Sequence, residues 1–270
     1  VGGLGIFIII TVYFFFNIFS NQNDFNFFEM TGKKNLAVYF FILLFFCVSL
    51  YDDRYRLRNY IKLVFYIVII SFFLDLFPEF RVNSLSFEIL DESINLQSFA
   101  KLFTIACIIT FLTASNMYDG INLNFSIFSI SVLLIFYILS GFLLFLVLIL
   151  FLGVFSIFNY SGKIFLGETG CILIAFLIAI YSIYFYHQGQ YQAEKIYLLM
   201  LLPINDNLRV VIMRLIKGKN AFYPDKSHFH HLLYLKYGFN NFVLFQISFA
   251  LLTIIFFLND FTIIGIIILN

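Results

Sequence analysis

Long apolar runs, most of them near the length of a membrane-crossing helix, alternate along this chain with short polar segments. The runs are continuous and lack a period of two, which predicts helices and not strands. They fall near 2–20, 36–50, 60–77, 98–115, 124–139, 141–158, 171–187, 196–208 and 243–258, with a last short one at 261–269. A span needs about 20 mostly apolar residues, and in lipid only helices and closed barrels satisfy every backbone polar group. The expected fold is therefore an all-α, polytopic membrane bundle of about nine or ten transmembrane helices. Only Ser140 and Gly141 separate the fifth and sixth runs, so the hairpin turn between them rests on those two residues alone. The segment 78–97 shows partial alternation around Leu85, Phe87 and Ile89 and reads as a short hairpin outside the bundle. Nothing divides residues 1–270 into separate domains.

Composition strengthens this picture. Hydrophobic residues make up 62% of the 270 and charged ones 11%, with a mean hydropathy of +0.99, which excludes a water-soluble globule with one ordinary core. A net charge of +1 gives no sign of a nucleic-acid partner, and that class is set aside. Cys47, Cys107 and Cys171 lie in or beside apolar runs without a CxxC pair, and read as inert thiols. The chain opens on Val1-Gly2-Gly3-Leu4 without an initiator Met and is expected to lack an N-terminal segment; no cleavable signal peptide is expected. The abundance of Phe and the absence of Trp fit an AT-rich codon bias, so single Phe residues carry little weight.

Charge sets the orientation. One side of the predicted bundle collects Arg54, Arg56, Arg58, Lys62, Lys163, Arg209, Arg214, Lys217, Lys219, Lys226 and Lys236. The other has Lys33, Lys34, Arg81, Lys101 and Lys195. The basic side is expected to face the cytoplasm.

Four polar clusters interrupt the apolar pattern, and under this topology all four emerge on that basic side. In "YDDRYRLRN" (51–59), Asp52 and Asp53 repel one another, which a cation or partial protonation would relieve; a solvated loop neutralised by Arg54 and Arg56 is the plainer reading. In "NMYDGINLN" (116–124), Asn116 and Asp119 share one side of a helical turn and Gly120 permits close approach, but the pair reads equally as a helix cap. In "NYSGKIFLGETG" (159–170), Glu168 sits among small residues, open to a metal or phosphate complex, or simply favourable at a helix start. Phe165 offers a ring face to a base. The fourth cluster runs from Asp206 to Tyr237 and contains "AFYPDKSHFHHLL", with His228, His230 and His231 downstream of Arg209 and Arg214. Zinc would want a closed set of nitrogen or sulfur ligands, and no thiol is near. Imidazoles and basic side chains gripping phosphate oxygens is the better reading. Carboxylates beside such donors suit Mg²⁺ with a polyphosphate.

With these residues in view, the chain resembles the polyprenyl-phosphate N-acetylhexosamine-1-phosphate transferase family (glycosyl transferase family 4), the membrane superfamily that includes the phospho-MurNAc-pentapeptide transferase of peptidoglycan synthesis. Val1-Gly2-Gly3-Leu4 is similar to the end of its P-x-x-G-G-L segment, with the first span cut off. Asp52-Asp53 resembles its aspartate pair, Asn116–Asn122 its N-x-x-D-G-x-D loop and Phe165–Gly170 its F-x-G-D-x-G turn. Asp206–His231 resembles its D-x-x-R…R-x-x-x-G…F-x-P-D-x-x-H-x-H-H segment. The resemblance implies transfer of a sugar-1-phosphate, usually of an N-acetylated amino sugar, from a UDP-sugar to polyprenyl (undecaprenyl) phosphate with release of UMP. It implies a Mg²⁺ requirement, with Mn²⁺ as a substitute, at the cytoplasmic face of a bacterial inner membrane, as the first membrane step of an envelope glycan, and a homodimer as partner state. Asp52, Asp53, Asp119, Glu168, His228, His230 and His231 would then be catalytic, with Asp119 and Glu168 serving the metal. Asn116, Gly120, Asn122, Lys163, Phe165, Arg209 and Arg214 would bind substrate.

Two positions depart from the family pattern. Asn122 replaces the second Asp of D-G-x-D and keeps a hydrogen-bonding edge without the charge. Glu168 replaces an Asp and lengthens the carboxylate by one methylene. An inactive homologue and a polytopic transporter are the competing readings; a transporter would place its charges at the midplane of interrupted, repeated helices, and here they fall at span ends on one face with no repeat.

Overall fold

The computed structural model describes residues 2–20, 32–88, 93–218 and 227–270. Val1, Ile89, Lys219 and the Phe222–Lys226 part of the histidine motif lie outside them. Among the described residues there are ten α-helices, one for each apolar run: α1 (Gly2–Ser20), α2 (Gly32–Tyr55), α3 (Asn59–Leu76), α4 (Ala100–Tyr118), α5 (Asn124–Ser140), α6 (Leu143–Tyr160), α7 (Gly167–His187), α8 (Ala193–Ile216), α9 (Phe229–Leu258) and α10 (Thr262–Leu269). Seven are long and apolar enough to cross a membrane, and α1 and α5 are apolar but shorter. The eight residues of α10 reach about 12 Å at 1.5 Å per residue. The expected turn at 140–141 is present, with Gly141 at φ 69° closing α5. The expected hairpin is present as well: β1 (Ser84–Leu85) pairs antiparallel with β2 (Ile94–Asn95).

Helix α7 is the axis of the bundle. It is buried along nearly its whole length and packs against α1, α2, α4 and α5, whereas the surrounding helices bury one face and present apolar side chains such as Ile8, Phe72, Leu150 and Ile157 outward, as lipid-facing helices do. Small residues let helices meet closely. A Cβ on Gly3 of α1 would come within 2.6 Å of the Gly170 backbone nitrogen in α7, and the Gly2 and Gly3 N–H groups donate to the Phe165 and Leu166 carbonyls (3.2 and 3.0 Å). This seats the start of α1 on the loop that opens α7. Helix α9 breaks at Gly238 (φ 78°, ψ 170°), separating a short first segment from the long apolar one.

The connections 56–58, 119–123 and 161–166 leave one end of the bundle, the site face, where α8 also ends and α9 begins. The opposite, far face carries the hairpin and the 188–192 turn, tied together where the Tyr186 hydroxyl donates to the Ser84 carbonyl (2.8 Å).

Candidate active site

The acidic half of the site is built where α2, α3 and α7 meet. Asp52 and Asp53 end the long α2. The Leu57 N–H (2.6 Å) and the Lys62 ammonium (3.2 Å) both donate to Asp52. Lys62, one turn into α3, also reaches Glu168 at 2.6 Å, and the Tyr66 hydroxyl donates to the other Glu168 oxygen (3.1 Å). Thus Lys62, rather than Arg54 or Arg56, neutralises Asp52 together with Glu168; Arg54 lies over the Tyr55 ring instead. Asp53 accepts from the backbone N–H groups of Glu168 (2.8 Å) and Thr169 (3.1 Å) and from the Thr169 hydroxyl (2.6 Å). It caps α7 from another helix, satisfying the unpaired donors of its first turn. Gly167, at φ 75°, permits the approach: a Cβ there would stand 2.9 Å from the Asp53 carboxylate.

Asp119 follows α4 and is half-buried. Desolvation, with the Asp53 carboxylate adding to it, pushes the Asp119 carboxyl up to about 8. No basic side chain among the described residues pairs with it. Asp119 is the C-cap residue of α4, its N–H donating to the Ser115 carbonyl (3.1 Å), and the Asn124 amide donates to the Tyr118 carbonyl (2.6 Å). Asn159, at the end of α6, accepts from the Leu123 N–H (2.7 Å) and donates to the Ile164 carbonyl (2.8 Å), which clamps the 119–123 loop to the 161–166 loop.

The basic half is organised by Asp206 on α8. Its Oδ1 accepts from the Phe229 N–H (2.7 Å) and the Arg209 guanidinium (2.9 Å), and its Oδ2 lies 3.2 Å from Nδ1 of both His228 and His230. His228, Phe229, His230 and His231 therefore open α9. One carboxylate oxygen and two imidazole nitrogens here lie within 4.8 Å of one another, but Arg209 and the Phe229 N–H already fill the other carboxylate oxygen, so the cluster is hydrogen-bonded and basic. The two halves join at Gly120, where a Cβ would meet Nε2 of His230 at 2.8 Å and of His231 at 3.0 Å. Beside it Gly120, Asn122, His231, Tyr234 and Phe239 line a cleft of about 400 Å³.

Among the proposed site residues, Asp52, Asp53 and Glu168 form one contacting group, Gly120 and the histidines form another, and Asn122 shares the cleft with His231. Asn116 (in the last turn of α4), Lys163 and Phe165 stand on the same face, Phe165 being 61% exposed, and no hydrogen bond among the described residues joins their side chains to the cluster. Arg209 serves Asp206 and the Ser227 carbonyl (2.6 Å); Arg214 is buried in the last turn of α8. Sequence reasoning missed three residues. Lys62 counted only as a topology charge, although a Lys inside an apolar run is itself a signal. Asp206 stood in the motif without a role, and Asn159 gave no signal beyond ending a helix.

Residues 35–186 match the model of glycosyl transferase family 4. The chain belongs to that family. A probable undecaprenyl-phosphate N-acetylglucosaminyl 1-phosphate transferase of Bacillus subtilis (strain 168) is 25% identical over 218 residues, 75% of this chain and 58% of that one. An undecaprenyl-phosphate alpha-N-acetylglucosaminyl 1-phosphate transferase of Yersinia pestis is 34% identical over 99 residues, 34% of this chain and 27% of its own. A decaprenyl-phosphate N-acetylglucosaminephosphotransferase of Mycobacterium tuberculosis (strain H37Rv) is 32% identical over 87 residues, 27% of this chain and 22% of its own. This family member thus spans 58% of the length of the Bacillus relative and matches shorter shares of the others. The matched 35–186 segment contains the acidic half of the site and ends before Asp206 and the histidines.

Proposed function

We propose that this chain transfers a sugar-1-phosphate, by default that of N-acetylglucosamine, from a UDP-sugar to a polyprenyl phosphate, releasing UMP, with the site face toward the cytoplasm of a bacterial inner membrane. The observation that carries the reading is the convergence, at one membrane face, of four carboxylates and Lys62 with a histidine and arginine cluster docked on Gly120. Phosphoryl transfer asks mainly for positioning and charge neutralisation, and such a set supplies both. The names of the relatives support the polyprenyl-phosphate acceptor and the N-acetylglucosamine-1-phosphate group.

In this reading a lipid phosphate oxygen forms a bond to the β-phosphorus as the bond to the bridging oxygen of UMP breaks. The second pKa of a phosphate monoester is about 6, so Asp52 and Asp53 need not remove a proton; they orient the acceptor and manage its charge. Lys62, between Asp52 and Glu168, offsets the acids and can turn toward a phosphate oxygen. His228, His230, His231 and Arg209 face the diphosphate, and Asn122 and Phe165 meet the nucleotide. The carboxylates fit Mg²⁺, which takes oxygen ligands and is usually held by one or two carboxylates and the substrate phosphates. Asp119, crowded by Asp53 and lacking a basic partner, is the acid a divalent cation would relieve; Glu168 stands with it as a ligand, although Lys62 and Tyr66 already engage it. Mg²⁺ would shield the diphosphate and polarise its oxygens.

Purified protein given UDP-GlcNAc, undecaprenyl phosphate and Mg²⁺ should release UMP, and His230→Ala should abolish the release. No UMP from a panel of UDP-amino-sugars would overturn the reading. Release with another amino sugar alone would keep the reaction and replace the default sugar.

A further inference from the structure

We propose that Asp206 is the positioning residue of the histidine cluster: it holds His228 and His230 in the tautomer protonated at Nδ1, which makes Nε2 their working atom. For His230 that atom points at the 119–120 loop. The inference rests on the reading of the cluster as a phosphate grip, but its geometry is independent of that reading.

An ionised carboxylate only accepts hydrogen bonds and has about four sites to do so. Asp206 receives four donors: the Phe229 N–H, the Arg209 guanidinium and two imidazole Nδ1 atoms. An unprotonated Nδ1 facing it would set lone pair against lone pair, so both rings must carry their proton there. Asp206 is 6% exposed and His230 fully buried, which shuts out water as a substitute partner. The Tyr118 ring meets His230 edge-on, with centroids 5.5 Å apart, and the stacked His228 ring flanks it at 5.4 Å. His230 therefore has one orientation. Its Nε2 lies against Gly120 and has no hydrogen-bond partner. A buried polar atom left unpaired costs about 1–3 kcal/mol, which marks Nε2 as an atom kept for a ligand. A neutral ring accepts there from a substrate hydroxyl or amide; a protonated ring donates there to a phosphate oxygen. In either state Asp206 keeps Nδ1 out of the chemistry.

The test is nitrogen NMR of the full chain in detergent with ¹⁵N-labelled histidine, which reports only four rings, assigned with His187→Gln and His231→Gln. His228 and His230 should both show Nδ1–H at neutral pH, and neither should show the tautomer protonated at Nε2 alone. Asp206→Asn leaves one acceptor oxygen, so at least one ring should move to the Nε2–H tautomer. UMP release by that variant should fall on the order of 10–100-fold in kcat, the cost of removing the orienting partner of a functional imidazole, with a smaller change in KM for the UDP-sugar. Asp206→Glu should recover the Nδ1–H signals. An Nε2–H tautomer at His228 or His230 in the unaltered protein overturns the proposal whether or not any variant folds, as does an Asp206→Asn protein with unchanged tautomers and kcat. The expected tautomers without UMP release would support the positioning role while removing the transferase reading.

Discussion

The two ends of the bundle handle charge in opposite ways. On the far face every ion pair has at least one well-exposed partner: Lys34 meets Glu79 at 2.6 Å, Asp75 is held by both Arg81 (3.0 Å) and Lys101 (2.8 Å), and Lys195 pairs with Asp260. On the site face Asp52 and Glu168 share one ammonium, both largely shielded from solvent. Asp53 turns its oxygens to the first turn of α7, and Asp119 has no cation at all among the described residues. Exposed pairs contribute little because water already solvates each partner. Half-buried acids with too few cations are strained by their own proximity, and a ligand that brings positive charge or takes up the free donors relieves them. The difference separates charges that hold a loop from charges that await a substrate.

The sharpest way to break that contrast is at Asp53. Asp53→Ala removes the acceptor of three donors and is expected to lower UMP release by roughly 10²–10³-fold, the scale of deleting a preorganised electrostatic group. The loss of an N-cap should also cost about 1 kcal/mol of stability. Asp53→Asn, which keeps one acceptor oxygen, should restore the melting temperature but not the activity. Next comes Lys62→Gln, which leaves Asp52 and Glu168 facing each other without their shared ammonium. About 10²-fold lower activity is expected, with a lower Tm in detergent and a partial rescue of that Tm by Mg²⁺; a variant with wild-type turnover would reduce Lys62 to a structural pair.

The legibility of the two halves differs for a physical reason. Apolar runs located all ten helices, because lipid forces backbone hydrogen bonds into the helix itself. The ends were misjudged where helices continue beyond the apolar core. Helix α7 begins at Gly167 rather than near 171 because Asp53 caps it, and α8 runs 193–216 rather than 196–208 because its polar end packs Asp206 and Arg214 inward. Helix α9 begins at Phe229, anchored by Asp206, rather than near 243. Asp52, Asp53, Asp119 and the histidines were visible as polar residues at span ends. Lys62, Asp206 and Asn159 were not, because their roles come from partners 106, 24 and 36 residues away, at Glu168, His230 and Leu123.

Gly120 tests whether the two halves must touch. A Cβ there falls 2.8 Å from Nε2 of a ring that is fully buried and anchored at its other nitrogen. The ring cannot swing aside, so the loop must move. Gly120→Ala is expected to reduce kcat about tenfold, because displacements of this size near reacting groups cost one to two orders of magnitude. Gly153, where a Cβ meets nothing within 4 Å, is the control, and Gly153→Ala should leave turnover unchanged.

Asp119 gives a pH dependence with a definite sign. Its carboxyl stands at about 8 in the folded chain against an ordinary 3.8. Between those values the folded state keeps a proton that the unfolded state has released, so this group's contribution to stability falls as pH rises through the window. Without divalent cations, Tm should therefore decline from pH 5 to pH 8, and Asp119→Asn should flatten the decline. Added Mg²⁺ should raise Tm most at the alkaline end, where the carboxyl is free to ligate. A slope unchanged by Asp119→Asn would move the cation away from this residue.

The smallest effect is expected at Asp75, and it is the one that holds the comparison together. Asp75 carries as much formal charge as Asp53 and meets two basic side chains, yet its side chain is 50% exposed and its partners are solvated. Removing it frees Arg81 and Lys101 to water, with no buried charge left behind, and Arg81 keeps its hydrogen bond to the Leu74 carbonyl (2.9 Å). Asp75→Asn should therefore leave UMP release, the Mg²⁺ dependence of Tm and the histidine tautomers as they are. Raising salt from low to physiological strength should not alter its Tm difference from the parent chain beyond error, since a screened pair has little left to lose. If Asp75→Asn instead lowered turnover, the two faces would be coupled through α3, which carries Lys62 near one end and Asp75 near the other. The exposure of an ion pair would then no longer separate structure from function in this bundle.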